Sequence, residues 1–596
     1  MTMTAHAPAC REHPPAALMQ AGDGSAWFRF AAPRRIVRAD AIADVLPALA
    51  EVEAANAAGL WAAGFVAYDA APAFDAALAM HPSAAGPLLW FGLFDEPARL
   101  PASWLPPAGP PPRIDWRPSV SAAAHACAVE DIRGCIARGE TYQVNLTHRL
   151  RAAAPDDPFA LFTAMVRAQR GRHAAWIDTG DLALASASLE LFFEFDGTRI
   201  ASRPMKGTAP RGPDTATDRR IAAALAASPK DRAENLMIVD MVRNDLGRIA
   251  APGSVHVPRL YEVERYPTVW QMTSTVTATT HAPLAEIFRA LFPAASITGA
   301  PKVQATRIIA RLEDSPRDVY TGCIGWSAPG RRAEFNVAIR TACIDRRAGS
   351  AVYGTGGGIV WDSSPDAEFE ECRTKARVLF ETEPPFSLLE TMLWRPHRGF
   401  RLLGLHLARL TDSADYFDIP LDPSATRCAL DAAAAGWPPR PHRVRLLVDA
   451  DGTPTVEAAP FDPRAERRTW RIAPAAGPVD SADRFLRHKT TRRSAYDHAR
   501  DARPGFDDVL LWNERGEITE STLANVAVHI DGAWITPAAS CGLLRGTMRK
   551  RLLRRGTIRE GIVLREDLSR ASDILLFNSL RGWIRTALPA ADGRDG

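Results

Sequence analysis

Two pairs of acidic residues, each spaced to share a helical face, are the groups best placed to do chemistry in this 596-residue chain. Asp231 and Glu234 lie in Lys230-Asp-Arg-Ala-Glu-Asn-Leu-Met-Ile-Val-Asp-Met-Val-Arg-Asn-Asp245. Glu368 and Glu371 lie in Asp366-Ala-Glu-Phe-Glu-Glu-Cys-Arg-Thr-Lys375. Positions three apart on a helix point the same way, so each pair presents two carboxylates together. Hard oxygen ligands of this kind suit Mg²⁺, which keeps several waters and shares its remaining positions with a substrate anion. Just before the second pair runs Tyr353-Gly-Thr-Gly-Gly-Gly358, where Gly356, Gly357 and Gly358 let backbone N–H groups approach a ligand closely. Lys375, on the face of Glu368, can meet a carboxylate. Taken singly these features are bland, since acidic pairs usually mark a solvated helix face and Gly-rich runs usually mark turns. Together they describe a magnesium-assisted site for a small, multiply anionic substrate.

The elements that must hold these groups are punctuated by proline. Segments 221–227 and 284–291 read as helices, and 335–339 and 351–353 as short strands. Six prolines within 101–112 interrupt any regular element. A second break falls at Glu381-Thr-Glu-Pro-Pro385, and a fresh pattern begins at Phe386-Ser-Leu-Leu-Glu-Thr-Met-Leu-Trp394. The expected organisation is a disordered tail over 1–25, an N-terminal subdomain over 26–112, a catalytic domain over 113–383 and a separate module over 384–596. Length alone suggests roughly three or four domain-sized units.

Composition excludes several classes. Apolar residues make up 46% and charged residues 24%, as in ordinary globular proteins. The net charge of +3 is small, and Arg is spread evenly, so neither nucleic acid nor an anionic membrane surface is expected as a partner. Eight Cys show no Cys-x-x-Cys pair, which makes reduced thiols in a cytoplasm the expectation. No signal peptide is evident, and no apolar run approaches the roughly 20 residues of a membrane span.

The wording around the acidic pairs resembles the chorismate-utilising enzymes, among them the large subunits of anthranilate and aminodeoxychorismate synthases and the isochorismate and salicylate synthases. The matching blocks are Tyr142-Gln-Val-Asn-Leu146, Ser186-Ala-Ser-Leu-Glu190, Arg203-Pro-Met-Lys-Gly-Thr208 and Arg243-Asn-Asp-Leu-Gly247. Phe292-Pro-Ala-Ala-Ser-Ile-Thr-Gly-Ala-Pro-Lys302 and Phe335-Asn-Val-Ala-Ile-Arg-Thr341 follow. The resemblance implies an α+β fold with a two-sheet sandwich. It makes Glu234, Glu368 and Glu371 ligands of Mg²⁺, with Asp231, where relatives often carry Glu, acting through water. It makes Arg340 and Lys375 binders of substrate carboxylates, with Tyr353, Thr298 and the three glycines also at the substrate. Gln271 stands where many relatives carry His; it can hydrogen-bond but cannot titrate, so it is a binding residue at most. Glu190 becomes the general acid for the departing C4 hydroxyl, its pKa raised by apolar neighbours. Periodicity alone would make it an exposed strand residue.

Lys206 is the diagnostic position within that resemblance. Relatives that make anthranilate carry Ala there, and those that aminate chorismate at C4 carry Lys. Isochorismate and salicylate formers place a water-activating Lys at the position of Gln143. The implied chemistry is attack of Lys206 on C2, followed by ammonia at C4, which needs an amine of lowered pKa. Ammonia is the expected nitrogen donor, since no Gly-x-Cys-x-Gly elbow of a glutamine amidotransferase is present. Glutamine-dependent activity then requires a separate glutaminase subunit in trans.

From residue 386 the chain resembles fold-type IV pyridoxal phosphate enzymes, whose module has two α/β subdomains. The blocks are His406-Leu-Ala-Arg-Leu410, Lys489-Thr-Thr-Arg-Arg493, Gly516-Glu-Ile-Thr-Glu-Ser521 with Asn525, Gly542-Leu-Leu-Arg-Gly-Thr-Met-Arg549 and Phe577-Asn-Ser-Leu580. The resemblance makes Lys489 the residue that holds pyridoxal 5'-phosphate and moves protons, and Glu520 the partner of its ring nitrogen. Arg409, Gly546, Thr547 and Ser579 would hold the phosphate, partly at a helix N-terminus. Arg545 and Met548 depart from the usual residues. The fold does not choose between lyase and aminotransferase, but the fusion favours elimination of pyruvate to leave p-aminobenzoate. The rival readings are an anthranilate synthase fused to an aminotransferase and a second half that serves only for dimerisation or docking. The resemblance also implies a homodimer formed through the second half.

Overall fold

The structure is a computed structural model and describes residues 16–83, 86–105, 112–380, 386–462 and 468–588. It divides into two compact units, Met1–Pro210 with Ala222–Glu383, and Arg211–Ile221 with Pro384–Gly596. The proline-rich break at 381–385 and part of the one at 101–112 lie outside the described residues.

In the first unit the strands build two ten-stranded sheets. Trp61–Val66 and Leu89–Phe94 are buried at every position, the pattern of strands covered on both faces. Met19, Phe30, Ile177 and Leu184 of one sheet share a core with Trp61, Phe65, Trp90 and Ile324 of the other, so the sheets pack face to face. Burying one such side chain contributes about 1.5–3 kcal/mol. Helices Ile42–Ala57, Pro229–Gly247 and Leu284–Leu291 cover the outer face of the second sheet. Helix Pro158–Gln169 covers the first.

Two features differ from the sequence reading. Residues 17–20, expected in a disordered tail, form strand Ala17–Gln20, paired on both sides to Ala26–Phe30 and His173–Asp178. Ala17 and Leu18 are completely buried there, and that apolar match supplies the ordering. Residues 26–112 do not stand apart either. Ala26–Phe30 and Ala98–Pro101 extend one sheet, while Arg35–Ala39, Trp61–Val66 and Leu89–Phe94 extend the other.

The acidic helices begin where local chemistry dictates. Ser228 accepts a hydrogen bond from the Asp231 N–H at 3.3 Å and Pro229 takes the first turn, a standard N-terminal arrangement. Ile238, Val239, Val242 and Leu246 anchor that helix, leaving its first turns to carry Asp231 and Glu234. Helix Pro365–Ala376 opens with Pro365, Asp366 and Glu368 and ends with Arg373 and Lys375, charges that suit its dipole. The Gly-rich run is not a turn. It lies in strand Ser350–Ile359, paired antiparallel with Gln143–Ala153 along its whole length.

The second unit contains a four-stranded sheet and an eight-stranded sheet. Helix Leu403–Phe417 packs on the smaller sheet through Leu410, Ala414 and Phe417. The larger sheet is mixed, with Trp470–Pro474 running parallel to Asp508–Trp512. Arg211–Ile221 belongs to this unit. There the Tyr416 hydroxyl donates to the Gly212 carbonyl at 2.7 Å, and Arg211 pairs with Asp218 at 2.8 Å. The fold is mixed α+β throughout, and among the described residues no helix is long and apolar enough to cross a membrane.

Candidate active sites

Glu190 owes its position to a crossing. The chain leaves one sheet with Leu182–Ser188 and enters the other with Leu191–Asp196, and Glu190 sits in the link, 4% exposed. The alternation that suggests an exposed strand residue therefore fails at this point. Ser296 Oγ donates to Glu190 Oε1 at 2.5 Å. Burial nonetheless pushes the carboxyl up to about 7, with the Ser296 hydrogen bond opposing that shift.

Lys206 follows in strand Met205–Pro210, whose register with Val269–Thr279 shifts between Met205 and Thr208. Gly207 takes a positive φ of 97°, which an L side chain resists, and this turns Lys206 into a cavity of about 260 Å³. Asn235 Nδ2 donates to the Lys206 carbonyl at 3.3 Å, and Ser274 Oγ donates to Asn235 at 2.5 Å. A Cβ placed on Gly358 would lie 2.2 Å from Lys206 Nζ and 2.1 Å from Gln143 Nε2. Glycine at 358 thus lets the amine and the amide meet over the strand backbone. Burial lowers the Lys206 pKa, although the carboxylates of Glu234, Glu371 and Glu368 favour the charged form.

The same cavity is lined by Asp231, Glu234, Glu368 and Glu371 from the two helices. Burial raises the Glu234 and Glu368 pKa values, and like-charged neighbours add to it: Asp231 and Glu371 for Glu234, Glu371 for Glu368. A divalent cation bonded to these oxygens offsets that repulsion, so the donor set fits Mg²⁺. Gly357 lies beside it, and a Cβ there would stand only 2.9 Å from Glu368 Oε2. Lys375 Nζ is engaged by Glu371 Oε1 at 2.7 Å and by the Gly356 carbonyl at 2.8 Å. The Lys375 ammonium in turn holds the Glu371 carboxyl below its ordinary value.

Other expected residues are placed as follows. Arg340 lines the cavity with a strained φ of 52° and donates to the Lys375 carbonyl. The Tyr353 hydroxyl donates to the same carbonyl at 3.1 Å. Gln271, also on the wall, accepts from Thr208 Oγ1 at 3.0 Å. Thr298 is fully buried, donates to the Ala294 carbonyl at 3.1 Å, and is not part of the wall. Sequence reasoning misses Ser296 and Asn235 as site residues, although both lie inside motifs it singles out.

The second unit has its own cavity of about 500 Å³, lined by Lys489, Glu520, Arg409, Gly546, Thr547 and Ser579. Burial brings the Lys489 pKa down to about 8 and the Glu520 carboxyl up to about 7. Tyr496 donates to Glu520 Oε1 at 2.8 Å and Asn525 Nδ2 to Oε2 at 3.0 Å. Helix Thr547–Arg554 starts at the cavity, with Gly546 as its N-cap. A buried amine, a carboxyl fixed by three donors, the third being the Leu544 N–H at 3.0 Å, and a helix N-terminus beside two hydroxyls fit pyridoxal phosphate. Arg409 is less free than expected, because Nε and Nη2 grip Glu390 at 2.8 and 2.6 Å. His406 Nδ1 meets the same carboxylate at 2.6 Å, and Thr547 Oγ1 meets His406 Nε2 at 3.2 Å. Nothing in the sequence alone assigns a role to Glu390, His406 or Tyr496.

Known proteins resemble each half. The aminodeoxychorismate synthase component 1 of Salmonella typhimurium is 40% identical over 273 residues, covering 45% of this chain and 59% of that protein. The anthranilate synthase component 1 of Thermus thermophilus is 36% identical over 272 residues, covering 45% of this chain and 58% of its own. The match thus spans about three fifths of the length of these curated relatives, 59% and 58%. The crystal structure of anthranilate synthase component I from Streptococcus pneumoniae shares the fold, with a TM-score of 0.53 at 22% identity, over 64% of this chain and 95% of its own. The amino-transferase class IV family matches residues 387–587. The chorismate binding enzyme family matches residues 14–381, more than half of the chain, and the protein belongs to that family.

Proposed function

We propose that the first unit aminates chorismate at C4 and the second eliminates pyruvate from the product, giving p-aminobenzoate. The observation that carries the first step is Lys206 Nζ in one cavity with Glu190 and four acidic side chains, beside Gln143 and above Gly358. Mg²⁺ held by Glu234, Glu368 and Glu371, with Asp231 through water, would supply Lewis-acid binding of the ring carboxylate. Arg340 provides a guanidinium for the second carboxylate. Lys206, whose amine burial favours as the free base, attacks C2 while the C4–O bond breaks. Glu190 gives its proton to the departing hydroxyl, which leaves as water. Ammonia then adds at C4, the C2–N bond to Lys206 breaks, and 4-amino-4-deoxychorismate is released.

In the second unit pyridoxal phosphate would supply an electron sink, with Lys489 as its anchor and Glu520 facing its ring nitrogen. Lys489 takes the C4 proton, and the bond from C3 to the enolpyruvyl oxygen breaks. The ring becomes aromatic, and the enol picks up a proton to become pyruvate. Glu520, held between Tyr496 and Asn525, keeps its orientation through this change. Ammonia serves as the nitrogen donor, and a separate glutamine amidotransferase subunit would supply it from glutamine, consistent with relatives named as a component 1.

The test is a product assay with chorismate, Mg²⁺, pyridoxal phosphate and ammonium, read by mass-resolved chromatography. Equal p-aminobenzoate and pyruvate are expected. Lys489→Ala should stop at 4-amino-4-deoxychorismate and Lys206→Ala before it. Anthranilate as the product would overturn the first assignment, and accumulated 4-amino-4-deoxychorismate from the unaltered protein would overturn the second.

A further inference from the structure

Helix Pro365–Ala376 has two chemically different faces. Glu368, Glu371 and Lys375 face the cavity. One residue on, Phe369 and Cys372 are not part of that wall, and Cys372 and Ala376 are the two buried residues of this helix. Against Cys372 stand His125, from helix Ala122–Ala137, and His148, from strand Gln143–Ala153. One ligand atom from each of these three side chains lies within 4.8 Å of the others. His125, His148 and Cys372 are 3%, 4% and 1% exposed.

The polar accounting of this cluster does not close within the protein. Nδ1 of His125 and Nδ1 of His148 are both buried without a hydrogen-bond partner, and such groups ordinarily find one. The rings meet edge to face at 5.8 Å, and Phe369 covers them at 5.3 and 5.8 Å. Burial keeps both imidazoles neutral, His148 down to about 4, the form in which histidine binds metal.

We propose that His125, His148 and Cys372 form a second metal site, separate from the carboxylate cavity, which takes a borderline-soft divalent cation of the Zn²⁺ class. Two imidazoles and a thiolate are the donors such cations select and Mg²⁺ does not. Tetrahedral Zn²⁺ places its N and S ligands about 3.3–3.7 Å apart, so side-chain rotations that close the gap from within 4.8 Å would supply three of its four ligands, with water as the fourth. On binding, Cys372 Sγ–H gives up its proton to solvent as the metal–sulfur bond forms. The cation would fasten helix Pro365–Ala376 to helix Ala122–Ala137 and strand Gln143–Ala153, adding to the contacts Phe369 makes with the two imidazoles.

The full-length protein, stripped by chelator and returned to excess Mg²⁺, is titrated with Co²⁺ and followed by absorbance. The expected result is a near-ultraviolet thiolate-to-Co²⁺ charge-transfer band that saturates at one ion per chain and is displaced by Zn²⁺. Cys372→Ser should abolish the band, and His125→Gln should weaken Co²⁺ binding by about tenfold or more. X-ray absorption at the zinc edge of the unaltered protein needs no variant to fold. It should show one sulfur at about 2.3 Å and imidazole nitrogens at about 2.0 Å. No charge-transfer band, a band retained in Cys372→Ser, or a zinc shell of oxygen and nitrogen alone would overturn the proposal.

Discussion

Glu190 joins burial to function at the level of a single carboxyl. With its pKa near 7, it keeps the proton that the C4 hydroxyl needs in the proposed reaction, and amination should decline as pH rises above about 7. Glu190→Gln should abolish that limb and reduce turnover by about 10²–10⁴-fold, the usual worth of a general acid. Ser296→Ala removes a hydrogen bond that lowers the pKa, so the limb should move to higher pH; an unmoved limb would assign it to another group. Stability should fall over the same range. The folded carboxyl titrates near 7 against an ordinary value of 4.5, so its contribution is present below about 4.5 and is lost as pH rises through 7. At pH 8, Glu190→Gln should therefore be more stable than the parent, on the order of 1–3 kcal/mol, with little difference near pH 4. Thermal unfolding at the two pH values checks the sign.

Among the elements, strand Ser350–Ile359 is the one on which the site leans most. A methyl at 358 displaces the side-chain ends of Lys206 and Gln143, at 2.2 and 2.1 Å, whereas at 357 it displaces that of Glu368, at 2.9 Å. Gly358→Ala should thus lower the maximal amination rate by about 10²-fold through misplacement of the amine. Gly357→Ala should mainly raise the Mg²⁺ concentration needed for half activity. Rates measured across a Mg²⁺ titration separate the two, and identical responses would refute the distinction. These roles could not be read from composition. The spacing of the acidic pairs and the ordered motifs revealed which residues converge, because helical periodicity and local wording are properties of short segments. That Gly358 leaves room for Lys206 and Gln143 to meet, or that Ser296 reaches Glu190, depends on strand pairing and on a crossing between sheets. The same limit explains Arg409. Its motif was legible, but its partner Glu390 lies 19 residues away on a neighbouring strand.

Across the whole molecule, the sequence made the change of character after residue 380 visible, since proline and a new set of motifs mark it. It did not reveal that Ala17–Gln20 lies inside a sheet or that Arg211–Ile221 belongs to the second unit. Both depend on partners far away in the chain. Each unit has a cavity of its own, so the two proposed reactions should be separable by mutation. Lys206→Ala should leave cofactor absorbance and conversion of added 4-amino-4-deoxychorismate unchanged; loss of either would show that the second unit depends on the first site. The most direct test of the central claim is intact and peptide mass analysis of protein quenched after exposure to chorismate and Mg²⁺ without ammonium. A covalent increment equal to chorismate less one water, localised to Lys206, is the predicted result. No adduct on Lys206, in protein that still aminates chorismate when ammonium is added, would contradict the account.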